Sequence, residues 1–484
     1  MKSICLFFAA LFLSAFGFGQ EITGNWEGNL NVQGSEIPIV FHISKDSSGK
    51  LTATFDSPKQ KAFNLACNQV AINGDSVILY MNIIKGKYAA TLQAGNKQMN
   101  GSWFQGPGSL PLNVTKTSDI VSSRMVKRPQ TPKAPFPYLS ENVAYNNTNK
   151  NIRFGATFTA PIPDPNTQYA KTPVYPTVIL ITGSGKQDRD ETIFDHKPFA
   201  VIADYLTRHG IAVLRVDDRD MGSTTGDFNT ATTADFAKDV EAGIAYLKTR
   251  KEVDTTHMGL IGHSEGGIIA PMLASSRKDI KFIVMLAGPG VKITELMEQQ
   301  AVDVLAKSDL PSTALDKYRI LYRNMVTTIL HSKDNTIAMK ESAKVFTAWQ
   351  KGLDSTMLLN ITGVSDQKSM NEFIRGFVMQ LHSPWFNYFM RINPASYLSK
   401  VQCPVLALNG EKDIQVAAAP NLAAIKNALK NNSSKKVVIR EMKDLNHLFQ
   451  HCKTCSVPEY DELEESFSPE VLEIIANWIN STVK

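Results

Sequence analysis

Cysteine, long apolar runs and concentrated charge of one sign are all scarce in this chain. Its 484 residues include five cysteines, and the formal net charge of +5 is spread along the sequence. No dense Lys/Arg stripe with interleaved aromatic residues is present, which argues against a nucleic-acid partner. Beyond the N-terminal region, no segment is long and apolar enough for a membrane-spanning helix. We therefore expect a globular protein that binds neither nucleic acid nor the membrane interior.

The N-terminal residues have the pattern of an export signal. Lys2 supplies a positive start, and the apolar run from Ile4 to Phe16 is too short to span a bilayer. Small glycines then precede Gln20 at the positions that a signal peptidase requires. We predict a cleavable signal peptide over residues 1–19 and a periplasmic or extracellular location. The alternative is a buried N-terminal helix.

The remaining cysteines do not form a metal-binding pattern. Cys452 and Cys455 make a CxxC pair, but no second pair accompanies it, and only His447 and His451 lie near in sequence. A structural zinc site needs about four ligands. The pair therefore predicts a local disulfide, which export permits, or two free thiols, and no metal.

The N-terminal third shows strand patterns, followed by a change in composition. Residues 20–118 contain short alternating apolar runs separated by turn residues, which predicts a small all-β domain. Between Arg128 and Pro137 four of ten residues are proline. Such a stretch is stiff and extended, so we place a linker at residues 119–138.

After the linker, apolar strands alternate with helical patterns. This rhythm predicts a doubly wound, mostly parallel sheet over residues 139–290 and 395–484. Residues 291–394 interrupt it with several successive helical patterns. The predicted fold class is α/β with a helical cap insertion, preceded by the all-β domain.

The candidate nucleophile is Ser264. Gly262-His263-Ser264-Glu265-Gly266 matches G-x-S-x-G, and it stands between an apolar strand pattern and a helix start. This context is what the motif requires, because the tight turn exposes the serine at the N-terminus of a helix. The pattern therefore predicts a serine hydrolase.

Two further residues complete a candidate triad. Asp413 follows one predicted strand and His447 follows the next, in the chain order serine, acid, histidine. His447 is expected to accept the serine proton and Asp413 to orient the imidazole. Glu411 and Asp444 are alternatives for the acid, and His451 is an alternative for the histidine.

Two backbone N–H groups are candidates for the oxyanion hole. One belongs to Glu265, which follows the nucleophile, and the other to Ser184 in the loop Thr182–Gly185. In the cap, Trp385 and Phe386 belong to an aromatic cluster at helical spacing, and we expect them to line the substrate pocket.

These motifs resemble the α/β-hydrolase superfamily. Within it, the loop from Gly183 to Asp190 is similar to the Gly-Ser-Gly-Pro-Gln-Asp-Arg-Asp loop of a secreted bacterial esterase branch with an extra N-terminal domain, although Lys186 replaces the proline. Residues 445–449 and 467–469 resemble the C-terminal signature of that branch. The resemblance implies carboxylesterase activity on small acyl esters without a cofactor.

Two alternatives to the esterase remain open. A serine aminopeptidase or dipeptidyl-type peptidase would use an acidic group to hold the substrate amine, and Glu265, Asp188 and Asp190 are candidates. The other alternative is a lipid- or glycan-binding protein built on a hydrolase fold. The oligomeric state is not predicted.

Overall fold

The computed structural model describes residues 22–32, 35–60, 62–105, 108–118, 127–149, 151–164, 166, 173–308, 310–434 and 436–484. The chain divides into two compact units, residues 1–125 and 126–484. The predicted signal peptide lies outside the described residues. Among the residues that are described, no helix combines the length and apolarity needed to cross a membrane.

The first unit is a single antiparallel sheet. Its nine strands are β1 (Gly24–Val32), β2 (Ser35–Lys45), β3 (Leu51–Ser57), β4 (Ala62–Cys67), β5 (Gln69–Asn73), β6 (Ser76–Met81), β7 (Gly86–Leu92), β8 (Gln98–Gln105) and β9 (Gly108–Thr117). The order across the sheet is β4-β3-β2-β1-β9-β8-β7-β6-β5. The edge strands β4 and β5 are joined through the single residue Asn68, so the sheet must curl back on itself. Its interior is filled by large apolar side chains, including Trp26, Phe41, Phe55 and Tyr88.

The second unit is built on an eight-stranded mixed sheet. Its strands are β10 (Leu139–Asn146), β11 (Arg153–Ala160), β12 (Tyr175–Ile181), β13 (Ala212–Val216), β14 (Val253–His263), β15 (Phe282–Leu286), β16 (Val405–Gly410) and β17 (Val437–Met442). They lie in the order β10-β11-β13-β12-β14-β15-β16-β17. The six strands that follow β11 in this order run parallel to one another.

Helices cover both faces of this sheet. They are α1 (Pro198–Arg208), α2 (Thr233–Leu247), α3 (Gly266–Ala274), α11 (Ala418–Ala428) and α12 (Pro469–Thr482). Alternation along the strands feeds two cores. Ile179 of β12 belongs to the core that includes residues of α2, α3 and α11, while its neighbours Val178 and Leu180 belong to the core that includes residues of α1 and α12. The continuous apolar runs of the central strands follow from this double burial.

The predicted interruption is a helical cap. Between β15 and β16 the chain forms α4 (Ile293–Leu305), α5 (Ser312–His331), α6 (Asn335–Trp349), α7 (Ser355–Thr362), α8 (Gln367–Leu381), α9 (Pro384–Met390) and α10 (Ala395–Leu398). The cap has its own apolar core, which contains the fully buried Phe346 and also takes in Ile268 of α3. The predicted fold class, an α/β-hydrolase sheet with a helical cap after an all-β domain, is confirmed.

The proline-rich stretch is bound to the second unit over the part that is described. The guanidinium of Arg128 donates hydrogen bonds to the carbonyl oxygens of Leu463 (2.7 Å) and Asp461 (2.9 Å). The side chain of Gln130 accepts from the N–H of Ser466 and donates to the carbonyl of Phe467. The stretch therefore holds the C-terminal segment of the second unit, where the composition alone predicted a spacer.

Candidate active site

Ser264 lies in a strained turn between β14 and α3. Its φ is 53°, in the left-handed region that residues other than glycine rarely adopt. The backbone N–H of Ser264 donates to the carbonyl of Leu286 at 2.9 Å, which ties the turn to the end of β15. Ser264 itself is half-buried, so its side chain is accessible.

Glycines on both sides of Ser264 are required by close packing. A Cβ atom on Gly262 would lie 2.0 Å from the carbonyl oxygen of Gly266, and one on Gly266 would lie 2.2 Å from the carbonyl oxygen of Ile181. Backbone atoms cannot give way at such distances. The G-x-S-x-G spacing is therefore a steric requirement of the turn, as the sequence predicts.

Asp413 and His447 meet at the carboxyl ends of neighbouring parallel strands. Asp413 follows β16 and His447 follows β17, and the ring Nδ1 of His447 lies 2.7 Å from Asp413 Oδ2. The other oxygen of Asp413 accepts the backbone N–H groups of Gln415 and Val416 at 2.7 and 2.9 Å. Three donors thus hold the buried carboxylate, one of them the imidazole, and Nε2 of His447 has no hydrogen bond to any described residue.

The alternative acids and the alternative histidine have other partners. Glu411 accepts the backbone N–H of Asp444, and Asp444 pairs with Lys412. His451 is exposed and pairs with Glu465. None of them contacts the Asp413–His447 pair through a hydrogen bond that the described residues show. Equally, no hydrogen bond within the described part of the chain joins the hydroxyl of Ser264 to His447, a contact that commonly tightens only when substrate is bound.

Two backbone N–H groups beside Ser264 are available. Within the described residues, neither the N–H of Ser184 nor that of Glu265 donates to a protein acceptor. The preceding N–H, that of Gly183, is already bound to Glu191 Oε1 at 2.7 Å. A Cβ on Gly183 would lie 3.2 Å from the Cβ of Ser264, so this loop is in contact with the nucleophile turn. Both N–H groups therefore stay candidates for the oxyanion hole.

Salt bridges anchor the loop that carries Ser184. Arg189 pairs with Asp217, with its Nε 2.9 Å from Oδ1, and Lys186 pairs with Asp220 at 3.0 Å. Asp190 pairs with Arg215. Asp188 accepts from the backbone and hydroxyl of Thr192 within its own turn.

These contacts connect the loop after β12 to the loop after β13. Asp218, in the second loop, accepts from the hydroxyl of Thr182 at 3.0 Å and from the N–H of Gln187 at 2.8 Å. Lys186, which stands where the loop that it resembles carries proline, thus pairs with Asp220. Charge pairs and hydrogen bonds hold this loop against its neighbour.

The side chain of Glu265 connects the nucleophile helix to the cap. Its Oε1 accepts the Thr233 hydroxyl at 2.7 Å and the indole N–H of Trp385 at 2.9 Å. Trp385 stacks on Phe389, with ring centroids 5.0 Å apart. Phe386, by contrast, is 5% exposed and packs inside the cap core. Of the two predicted pocket residues, only Trp385 is hydrogen-bonded to a neighbour of Ser264.

The buried Glu265 and the half-buried Asp218 have no cationic partner among the residues that the structure describes. Glu265 and Asp218 line one cavity, which Gly183 and Gly185 of the loop after β12 also line. Burial raises the pKa of Glu265 to about 7 and that of Asp218 to about 7. The second oxygen of Glu265 accepts no hydrogen bond from the described residues.

A disulfide lies in the loop that follows His447. Cys452 and Cys455 are bonded to each other, which settles the two alternatives that the CxxC pair left open. Cys67 and Cys403 are free thiols. Within the described residues, no group of three or more His, Cys, Asp or Glu side chains is arranged to hold a metal ion.

Comparison with known proteins agrees with this architecture. The family model described as serine aminopeptidase, S33, matches residues 196–451, which include Ser264, Asp413 and His447. Esterase EstD of Thermotoga maritima is 25% identical over 305 residues, which are 63% of this chain. This chain spans 62% of the length of that relative.

Solved structures show more distant likenesses. The Pyrococcus furiosus esterase Pf2001 shares 15% identity at a TM-score of 0.42, over 75% of this chain and 99% of that one. The hypothetical protein PA2218 of Pseudomonas aeruginosa shares 15% identity at a TM-score of 0.43, over 73% and 96%. Since the family model covers more than half of the chain, this protein belongs to the α/β-hydrolase family described as serine aminopeptidase, S33.

Proposed function

We propose that this protein hydrolyses carboxylic esters through an acyl-enzyme intermediate on Ser264. The observation that carries the proposal is the buried Asp413–His447 hydrogen bond of 2.7 Å at the strand ends beside the turn of Ser264. The esterase relative supports the choice of substrate class. A serine hydroxyl is a poor nucleophile, and an oriented imidazole is the base that activates it.

The proposed reaction uses the side chains of Ser264, His447 and Asp413 and two backbone N–H groups. The Ser264 oxygen attacks the acyl carbon while its proton passes to Nε2 of His447, and Asp413 stabilises the imidazolium that forms. The N–H groups of Ser184 and Glu265 bind the oxyanion. His447 then returns the proton to the alcohol as the carbon–oxygen bond breaks. Water, activated by the same imidazole, attacks the acyl-enzyme and releases the acid and the free serine.

Replacing the nucleophile tests the proposal. Ser264→Ala should lower kcat for p-nitrophenyl acetate by more than about 10³-fold, because the covalent route is removed. The matched control is Ser275→Ala at the other end of α3, whose hydroxyl donates to the carbonyl of Met272. A Ser264→Ala variant that kept a tenth of the wild-type kcat would exclude Ser264 as nucleophile. A wild-type protein without hydrolysis would instead favour the ligand-binding alternative.

One observation favours a peptidase as the second candidate. Glu265 keeps one carboxylate oxygen unbonded by described residues, and Asp218 lines the same cavity without a cation. A substrate ammonium group in this cavity would favour the ionised form of a neighbouring carboxyl group. The other two acids considered for this role, Asp188 and Asp190, are occupied within the loop and by Arg215. Turnover of aminoacyl-p-nitroanilides in preference to p-nitrophenyl esters would select the peptidase.

The pKa of Glu265 gives a test in the pH dependence of stability. Because the folded-state pKa is raised from 4.5 to about 7, folding favours the protonated acid, and this contribution is lost as pH rises through that window. Glu265→Gln removes the cost of the buried charge. The difference in Tm between Glu265→Gln and wild type should therefore increase from pH 5 to pH 8. The corresponding change in the free energy of unfolding is about 3 kcal/mol at most. A difference that stayed constant, or fell, would show that Glu265 is not held in its protonated form.

The contact between Trp385 and Glu265 predicts a specificity role for the cap. Trp385→Ala should shift the ratio of kcat/KM for butyrate over acetate esters by about 10-fold, the low end of the discrimination of about 1–3 kcal/mol that one methylene provides. Phe346→Ala, deep in the cap core, is the control for loss of cap packing and should leave the ratio unchanged. Equal ratios in wild type and Trp385→Ala would rule out a pocket role for Trp385.

Export is also part of the proposal. It is supported by the signal-like residues 1–19 and by the Cys452–Cys455 disulfide, since disulfides persist in oxidising compartments. Protein isolated from the exported fraction should begin at Gln20 when its N-terminus is determined by mass spectrometry. An intact N-terminus beginning at Met1 on protein in the soluble intracellular fraction would contradict export.

A further inference from the structure

A buried ion pair lies beneath the nucleophile turn. His263 and Glu191 are 6% and 4% exposed, and Nδ1 of His263 lies 2.9 Å from Glu191 Oε1. Nε2 of the same ring lies 3.0 Å from the carbonyl oxygen of His447. Every acceptor is satisfied when both ring nitrogens carry hydrogen, which corresponds to an imidazolium paired with an ionised Glu191.

The electrostatics of the pair agree with this reading. Burial acts to lower the pKa of His263, but the charge of Glu191 and the hydrogen bond to it have the larger combined effect, and the pKa is raised. Asp413 and the carbonyl of His447 act in the same direction.

The pair touches three separate parts of the candidate site. Glu191 Oε1 accepts the N–H of Gly183 at 2.7 Å, so the oxygen that pairs with His263 also holds the loop carrying Ser184. His263 immediately precedes Ser264 in the nucleophile turn. Through Nε2, the same ring holds the backbone of His447. One carboxylate and one imidazolium thus connect the oxyanion loop, the nucleophile and the base.

A purely structural explanation accounts poorly for these residues. Two buried charges are costly to desolvate, and apolar packing is commonly as stable as a buried ion pair. Glu191 also has a φ of 52°, a left-handed conformation that costs roughly 1–3 kcal/mol for residues other than glycine. Backbone strain and buried charge coincide where the segments of Ser184, Ser264 and His447 meet. This indicates that the relative positions of these three segments matter for function.

We propose that Glu191 and His263 form a positioning pair for the hydrolysis, which fixes the N–H of Ser184 and the imidazole of His447 relative to Ser264. This rests on the proposed function. The pair itself contacts no substrate. Its effect is on the geometry of the transition state rather than on substrate binding, because the oxyanion donor and the base act only as charge develops.

The test compares Glu191→Gln, His263→Gln and the double variant on p-nitrophenyl acetate. Each single variant should lower kcat by about 10- to 100-fold with KM within about threefold, as misplacement of about 1 Å does. Because the two residues act as a unit, the kcat of the double variant should lie within about twofold of the kcat of the less active single variant. Losses that multiply, or a change confined to KM, would overturn the proposal.

Glu459→Gln is the matched control for general destabilisation. Glu459 is also a buried glutamate that accepts backbone N–H groups, those of Lys453, Thr454 and Cys455, but it holds only the disulfide loop. It should lower Tm without the loss of kcat. If Glu191→Gln and Glu459→Gln had equal Tm and lost kcat equally, the role of Glu191 would be merely structural.

A spectroscopic measurement separates this proposal from the esterase proposal. If the wild-type protein hydrolyses no ester, the proposed function fails, and the pairing is then judged by ¹⁵N and ¹H NMR of the histidine rings. A doubly protonated His263 ring at neutral pH that becomes singly protonated in Glu191→Gln supports the pair. A neutral His263 ring in the wild type overturns it.

Discussion

The left-handed backbone of Ser264 is the constraint on which the rest of the site depends. A residue other than glycine at φ 53° is held there only because its surroundings leave no alternative. Those surroundings are the glycines at 262 and 266, the hydrogen bond to Leu286, and the loop at Gly183 that lies against the Ser264 side chain. Loosening any of them would relax the turn and withdraw the hydroxyl from the strand ends where His447 lies.

The parallel sheet explains why the other groups converge at this turn. β14, β15, β16 and β17 are neighbours with the same direction, so their carboxyl ends share one edge. Loops leaving that edge carry Ser264, Asp413 and His447, and the cap begins there, after β15. Charge pairs then fix the loops. Arg189 with Asp217, and Glu191 with His263, are the clearest examples.

The sequence predicted whatever depends on local pattern. Strand and helix alternation located the sheet, the gap in it located the cap, and the G-x-S-x-G spacing located Ser264, because each has a short-range physical cause. What it missed depends on contacts between distant segments: the pairing of His263 with Glu191, 72 residues away, and of Glu265 with Trp385, 120 residues away. His263 occupies the variable position of the motif, so the pattern carries no signal for it. Likewise, the prolines between Arg128 and Pro137 predicted a spacer, since composition cannot show that Arg128 binds carbonyl groups more than 300 residues away.

The most direct measurement of whether Ser264 carries the acyl group during ester hydrolysis is to trap the acyl-enzyme. Wild-type protein mixed with a p-nitrophenyl ester, quenched in acid within the first turnover and digested, should yield one peptide whose mass is increased by a single acyl group, with fragmentation placing it on Ser264. An acyl group on another residue would exclude Ser264 as the nucleophile. Hydrolysis by the wild type with no acylated peptide, under conditions that trap a known acyl-enzyme, would exclude the covalent route.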